Sequence, residues 1–262
     1  MATVATTPTA EALPKRPNAV WQFIKSEPLG IFGFLIILLY VVCALGAHWI
    51  AHYHPEEIDF AAMLSAPGEA HWFGTDQYGR DVFSRIVYGS RTALAVGILS
   101  SLFGCTAGAV LGAASGYFGG RIDTAIQRVV DIMLSFPIIV LAMVVVSVLG
   151  KQQVLGIDTN LIAAIALPFV PKMARVARSS TLSIVAMPFI DAARAAGYSH
   201  KRIILRHILP NIMAPYLIMV TAFIAQAILL EASLSFLGLG VTEPTAAWGL
   251  MLSGASADFY QT

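Results

Sequence analysis

Apolar residues along this chain fall in long unbroken blocks, not in the period-two alternation of a strand or the narrow stripe of a surface helix. Four blocks, Leu29–Ile50, Ala93–Tyr117, Ile132–Leu149 and Ile212–Leu230, have about the 20 residues that cross ~30 Å of hydrocarbon as a helix. The first is longer than the roughly 7–15-residue core of a signal peptide, so it reads as an uncleaved span. A fifth block, Leu161–Val170, is shorter, carries Pro168 and is closed by Pro171 and Lys172. By pattern alone it is a span, a re-entrant segment or a buried helix.

Charge placement narrows the choice. Residues 171–211 hold Lys172, Arg175, Arg178, Arg194, Lys201, Arg202 and Arg206 against Asp191 alone, which makes the segment cytoplasmic by the positive-inside rule. The connection 116–131, with Arg121 and Arg128, falls on the same side. With residues 1–28 as a cytoplasmic N-terminal tail, these sides are reproduced only if residues 157–175 cross. The expected protein is an all-α integral membrane bundle of five spans. Residues 29–50 form the first span, 51–92 an extracytoplasmic loop, and 93–262 the transmembrane core with a cytoplasmic loop at 171–211. Arg80, Arg85 and Arg91 run against the rule, and Asp76 and Asp81 are placed to neutralise two of them.

Composition agrees with a membrane protein: 57% of the residues are hydrophobic and 12% charged, against about 25% charged in soluble domains. Sixteen basic and fifteen acidic residues leave no overall field for nucleic acid. Cys43 and Cys105 both lie in apolar blocks, as small packing residues do. In the second block Gly104, Gly108, Gly112 and Gly116 recur every four residues, with Gly97 a heptad before them. On a helix they form a groove for a second backbone, either for tight packing or as a seam that slides. No G-x-x-x-x-G-K-[ST] loop is present, so nucleotide is not bound in that manner. His48, His52 and His54 read as an interfacial, water-facing cluster more readily than as metal ligands. Asp131 and Glu231 lie at span edges, and no ionisable chain runs through the apolar centres. That counts against an ion-coupled carrier, and no catalytic pair points to an intramembrane enzyme.

The stretch FIDAARAAGYSHKRIILRHILPN, residues 189–211, stands apart. Ile190–Ala196 is a short helix former with Ala192, Ala193, Ala195 and Ala196, and Gly197 suits its C-cap. Ser199 suits the N-cap of a second helix ending before Pro210, with Ile204, Leu205, Ile208 and Leu209 on one face, Ile203 off that stripe, and Arg202 and Arg206 on another face. The residues alone leave two readings open: an amphipathic connector on anionic lipid, or a docking element for a cytoplasmic partner.

The stretch resembles the EAA motif of ABC-importer permeases, Glu-Ala-Ala, three residues, Gly, nine residues, then Ile-x-Leu-Pro. Here Asp191-Ala192-Ala193 leads to Gly197 and Leu209-Pro210 at that spacing, with Asp191 for the glutamate and His207 at the isoleucine position. GTDQYGRDVFSRIVYGSR (74–91), GYFGGRIDTAIQRVVDIMLSFP (116–137), ARVARSSTLSI (174–184), EASLSFLGLGV (231–241) and WGLML (248–252) are similar to the dipeptide/oligopeptide/nickel permeases, in the order of the C-type subunit. The resemblance implies a type I permease without catalysis or cofactor of its own, multi-pass in a bacterial or archaeal inner membrane. It also implies a second homologous permease, two cytoplasmic ATPases that bind the ATP and Mg, and an extracytoplasmic binding protein that delivers peptide. Nickel, glutathione or another small solute remains an alternative cargo. In these terms Asp191, Ala192, Ala193, Arg194, Gly197, Arg202, Arg206, Leu209 and Pro210 form the loop that couples to an ATPase. The family has six spans where five are read here, with Thr262 on the expected outer side.

Overall fold

The computed structural model describes residues 26–150, 152–154 and 157–258. All but the last few residues of the expected 1–28 tail lie outside them, as does Lys151. The chain divides into two compact units, Met1–Val41 and Val42–Thr262. Helix α1 (Pro28–Ile50) runs across that division. In the first unit its side chains Leu29, Phe32, Phe34 and Ile37 are exposed, as on a helix meant for hydrocarbon.

The second unit is built on α2 (Val82–Phe118), 37 residues long and therefore roughly 55 Å. Asp81 caps its start, accepting from the Ser84 amide at 2.7 Å. Gly119, at φ +64, ends it and turns the chain into α3 (Gly120–Leu134). Pro137, whose ring fixes φ and restrains Phe136 before it, separates α3 from α4 (Ile138–Leu149). The pair bends by 95°, so the block predicted as one straight span is broken near its N-terminal end. A two-residue antiparallel pairing, β1 (Gln153–Val154) with β2 (Ile157–Asp158), leads into α5 (Thr159–Ala166). Asp158 caps α5 by accepting from Asn160 and Leu161. Pro168 then interrupts the helix, and α6 (Phe169–Val185) follows at a 45° bend. The weak fifth block is thus half of a bent helix pair, and residues 171–185 continue it as helix.

Three helices, Pro28–Ile50, Val82–Phe118 and His200–Phe236, are long and apolar enough to cross a membrane; counting each bent pair as one span gives five. The glycines at 104, 108, 112 and 116 fix the central packing. A Cβ on Gly104 would lie 2.6 Å from the Ala166 carbonyl oxygen, and one on Gly108 would lie 2.5 Å from that of Val170. Gly112 meets Ala174 and Ala177 in the same way, and Gly116 meets Thr181. The groove holds α6 from Phe169 to Thr181. Gly97 faces Ile224 and Ile228 of α9 (Met213–Phe236) instead. Around this contact Cys105, Ala109, Phe169, Met173, Ala177, Phe223 and Ala227 form the core, with Phe169 and Phe223 stacked at 4.5 Å. Both cysteines are free, Cys105 being fully buried. Helix α10 (Trp248–Asp258) packs back on α2 and α9: a Cβ on Gly89 would strike the Trp248 ring, and one on Gly249 the Ala232 carbonyl.

Candidate coupling hairpin

Pro188 opens α7 (Pro188–Ala195) at its first position, where the missing N–H leaves no intrahelical bond unmade. Asp191 sits in the first turn, where a negative charge is favoured by the helix dipole, and lies 3.3 Å from Arg194. Both are largely exposed, so that pair adds little. Ile190 and Ala193 point into the protein and are buried. Asp191, Ala192, Arg194, Ala195 and Ala196 face out as a small-residue surface.

The turn is a Schellman motif. The Tyr198 amide donates to the Ala193 carbonyl at 3.1 Å and the Gly197 amide to that of Arg194 at 2.9 Å. Gly197 takes φ +76, open to glycine and strained for other residues. Ser199 then caps α8 (His200–Ile203), its hydroxyl accepting from the Arg202 amide at 3.4 Å.

The second helix does not end before Pro210. It passes through a π turn at Ile204–Ile208 and a 3₁₀ turn at Leu209–Ile212 into α9. Proline cannot donate to the carbonyl four residues back, and its ring crowds it. The wide π turn relieves that conflict, with the Leu209 amide donating to Ile204. Asn211 donates its side-chain N–H to the His207 carbonyl at 2.6 Å. The extra residue also resets the register: Ile203, Ile208 and Ile212 are buried, while Leu205 is 53% exposed. Ile203, which the 3.6-residue period leaves off the apolar stripe, is a core residue.

The hairpin is tied to the end of α2. His200 Nδ1 and the Tyr117 hydroxyl are 2.8 Å apart, and Phe118 meets the same imidazole edge-on. The Arg194 guanidinium lies 5.5 Å over the Tyr117 ring, and that of Arg202 3.9 Å over Tyr198. His207 stacks on Tyr198 inside the hairpin. Of the nine residues named for coupling, Ala193 is buried and Leu209 half-buried. Asp191, Ala192, Arg194, Gly197, Arg202, Arg206 and Pro210 are exposed.

Two further charge clusters hold this frame. Arg178 donates to both carboxylate oxygens of Asp123 at 2.6 Å, and Arg175 to Asp131 at 2.6 Å, joining α6 to α3. At the other end Arg80 binds Asp76 at 2.7 Å and also Glu243. Burial alone lowers the Arg80 guanidinium, but its hydrogen bonds to Glu243 and Asp76 win and hold it above its ordinary value. Arg85, 1% exposed, donates to the carbonyls of Pro55 and Pro244 at 2.9 and 3.2 Å. Arg91 reaches the Ala44 carbonyl at 2.5 Å. Asp76 is therefore the neutralising acid the sequence suggested. Asp81 caps α2 and pairs with His71 instead, and Glu243 takes the other place. His52 packs on Trp72, and among the described residues no group of three or more His, Cys, Asp or Glu could hold a metal ion.

Residues 108–260 match the family described as binding-protein-dependent transport system inner membrane component. Residues 18–67 match the N-terminal TM domain of oligopeptide transport permease C. The dipeptide transport system permease protein DppC of Alkalihalophilus pseudofirmus is 41% identical over 91% of this chain and 77% of its own. The glutathione transport system permease protein GsiD of Escherichia coli O157:H7 is 40% identical over the same shares. The probable D,D-dipeptide transport system permease protein DdpC of Escherichia coli K12 is 38% identical over 89% and 76%. A chain of the MetNI methionine ABC transporter in an inward-facing conformation is similar at a TM-score of 0.49, with 19% identity over 68% of this chain and 90% of that one. By its family match and its relatives, the chain belongs to the binding-protein-dependent transport system inner membrane components, the permeases of ABC importers.

Proposed function

We propose that this chain is one permease subunit of an ATP-driven importer of di- or oligopeptides, and that the hairpin 188–210 is the surface a cytoplasmic ATPase grips. A second homologous permease completes the pathway, two ATPases bind the ATP and Mg, and an extracytoplasmic binding protein delivers the solute. The observation that carries the coupling claim is the exposed Asp191–Ala192–Ala195–Ala196 face, set on a Schellman turn and anchored to α2 through Tyr117 and His200. Small side chains allow close docking, and the anchor lets a push on the hairpin reach the 37-residue helix α2 at the centre of the bundle. Nucleotide then shifts the population between inward- and outward-open states, with no chemistry supplied by this chain.

The peptide cargo is supported by the 41% identity to a dipeptide permease and by the C-type N-terminal segment. The 40% identity to a glutathione permease supports glutathione as a second reading. The basic residues Arg194, Lys201, Arg202 and Arg206 of 186–211 support an N-terminus inside the cell and this hairpin at the inner face. Purification of the tagged chain with its neighbours tests the assembly: an ATPase and a second permease are expected to come down with it. Retrieval of the chain with neither contradicts the reading.

A further inference from the structure

Helix α6 has two faces. Ala174, Ala177 and Thr181 fill the glycine groove of α2. On the opposite side Lys172, Arg175, Ser179 and Ser183 recur at steps of three and four residues, a polar stripe along one helix face. Two of the three basic side chains on this helix are committed, Arg175 to Asp131 and Arg178 to Asp123. Lys172 is different. Among the described residues no carboxylate lies within 4 Å of its ammonium. That ammonium is 3.4 Å from the Gln226 side-chain oxygen of α9 and 5.9 Å from the centre of the Phe223 ring. Both Lys172 and Gln226 are half-buried, leaving part of each open.

Depth makes this notable. Lys172 lies between Val170 and Met173, which face Gly108, close to the middle of the apolar block 93–117. Gln226 is near the centre of α9. An ammonium at that depth does not face hydrocarbon at tolerable cost; it faces protein or water. Gln226 supplies a neutral oxygen that orients the cation without neutralising it, so the positive charge remains for an anion.

We propose that the polar stripe of α6 lines the aqueous pathway and that Lys172, oriented by Gln226, is a binding point for a carboxylate of the passing solute. On the peptide reading above, that group is the C-terminal carboxylate. The test uses the assembled importer in proteoliposomes, with Cys43 and Cys105 replaced by alanine. Lys172→Cys is expected to react with a membrane-impermeant, negatively charged thiosulfonate, and Met173→Cys, on the packed face, is not. No labelling at 172, or equal labelling at both, overturns the pathway claim. Uptake of a dipeptide is then compared with that of its C-terminal amide. Lys172→Gln is expected to lower uptake of the free acid by about tenfold, the size of one charge-assisted hydrogen bond, and to leave the amide unchanged. Lys172→Arg is expected to retain the preference for the acid. Equal loss for acid and amide overturns the carboxylate claim in favour of a packing role or an acid on the partner permease. If the unmutated importer takes up neither peptide while position 172 labels, the peptide cargo fails and the carboxylate claim with it, and the pathway claim stands.

Discussion

Gly197 separates the strain of the hairpin from the shape of the face proposed to dock an ATPase. Its φ is +76, and a Cβ built there meets nothing within 4 Å. Alanine therefore adds no clash, only the penalty of an L-residue in the left-handed region, about 1–2 kcal/mol. That weakens closure of the turn by a factor of about 5–30. The buried Ile190, Ala193 and Ile203 still hold the hairpin on the protein. Arginine carries the same backbone penalty and adds a long cation beside Ala195 and Ala196. The two variants thus share their strain and differ only at the surface. Reconstituted with its partners, Gly197→Ala is expected to keep most of its solute-stimulated ATP hydrolysis and uptake. Gly197→Arg is expected to insert normally, retain basal hydrolysis and lose the link between hydrolysis and uptake. Equal behaviour of the two variants would refute the docking argument, and normal uptake by Gly197→Arg would sink the assignment of this hairpin altogether.

Further outcomes follow from the packing. Gly108→Ala places a methyl 2.5 Å from the Val170 carbonyl oxygen and 2.7 Å from Met173 Cβ, an overpacking cost of ~1–3 kcal/mol; its apparent Tm in detergent falls below that of Gly33→Ala, which meets nothing, and equal Tm values contradict the groove. Arg85→Met removes a guanidinium 1% exposed that donates to the Pro55 and Pro244 carbonyls, while Asp76 and Glu243 keep Arg80, and a loss of about 1–3 kcal/mol is expected in thermal unfolding. Arg85→Lys, lacking the planar fork, does not restore it; full stability of either variant contradicts the role given to the cluster. Tyr117→Phe deletes the hydroxyl bonded to His200 at 2.8 Å, a change of ~0.5–1.5 kcal/mol; amides of 188–204 are expected to exchange faster, and unchanged exchange argues against the anchor.

The spans were legible because burial in lipid demands long apolar blocks, and the glycine repeat was legible because close helix contact demands small residues at helical spacing. The turn of the hairpin was also readable, since only a few residue types suit a left-handed C-cap or an N-cap, and Gly197 and Ser199 are such residues. What escaped the sequence depended on partners distant along the chain or on departures from an ideal period. Glu243 meets Arg80 across 163 residues, so Asp81, one residue away, was the natural but mistaken candidate. The π turn at Ile204–Ile208 adds a residue between Ile203 and Ile208, so both are buried on one side, which counting by 3.6 residues does not give. Lys172 read as the charge that closes a span, because Pro168 and Pro171 look like stops. In the structure Pro168 marks a bend, Pro171 lies in the first turn of α6, and the lysine stays inside that helix.

The central claim is that the small face of this hairpin meets an ATPase, and cross-linking at Ala192 tests it most directly. Ala192 is exposed on that face. With Cys43 and Cys105 replaced, Ala192→Cys in the assembled complex should form a short bifunctional cross-link to an ATP-binding subunit, with a yield that changes when nucleotide is added. A cross-link to no ATP-binding protein, while the complex otherwise remains intact, would contradict the account.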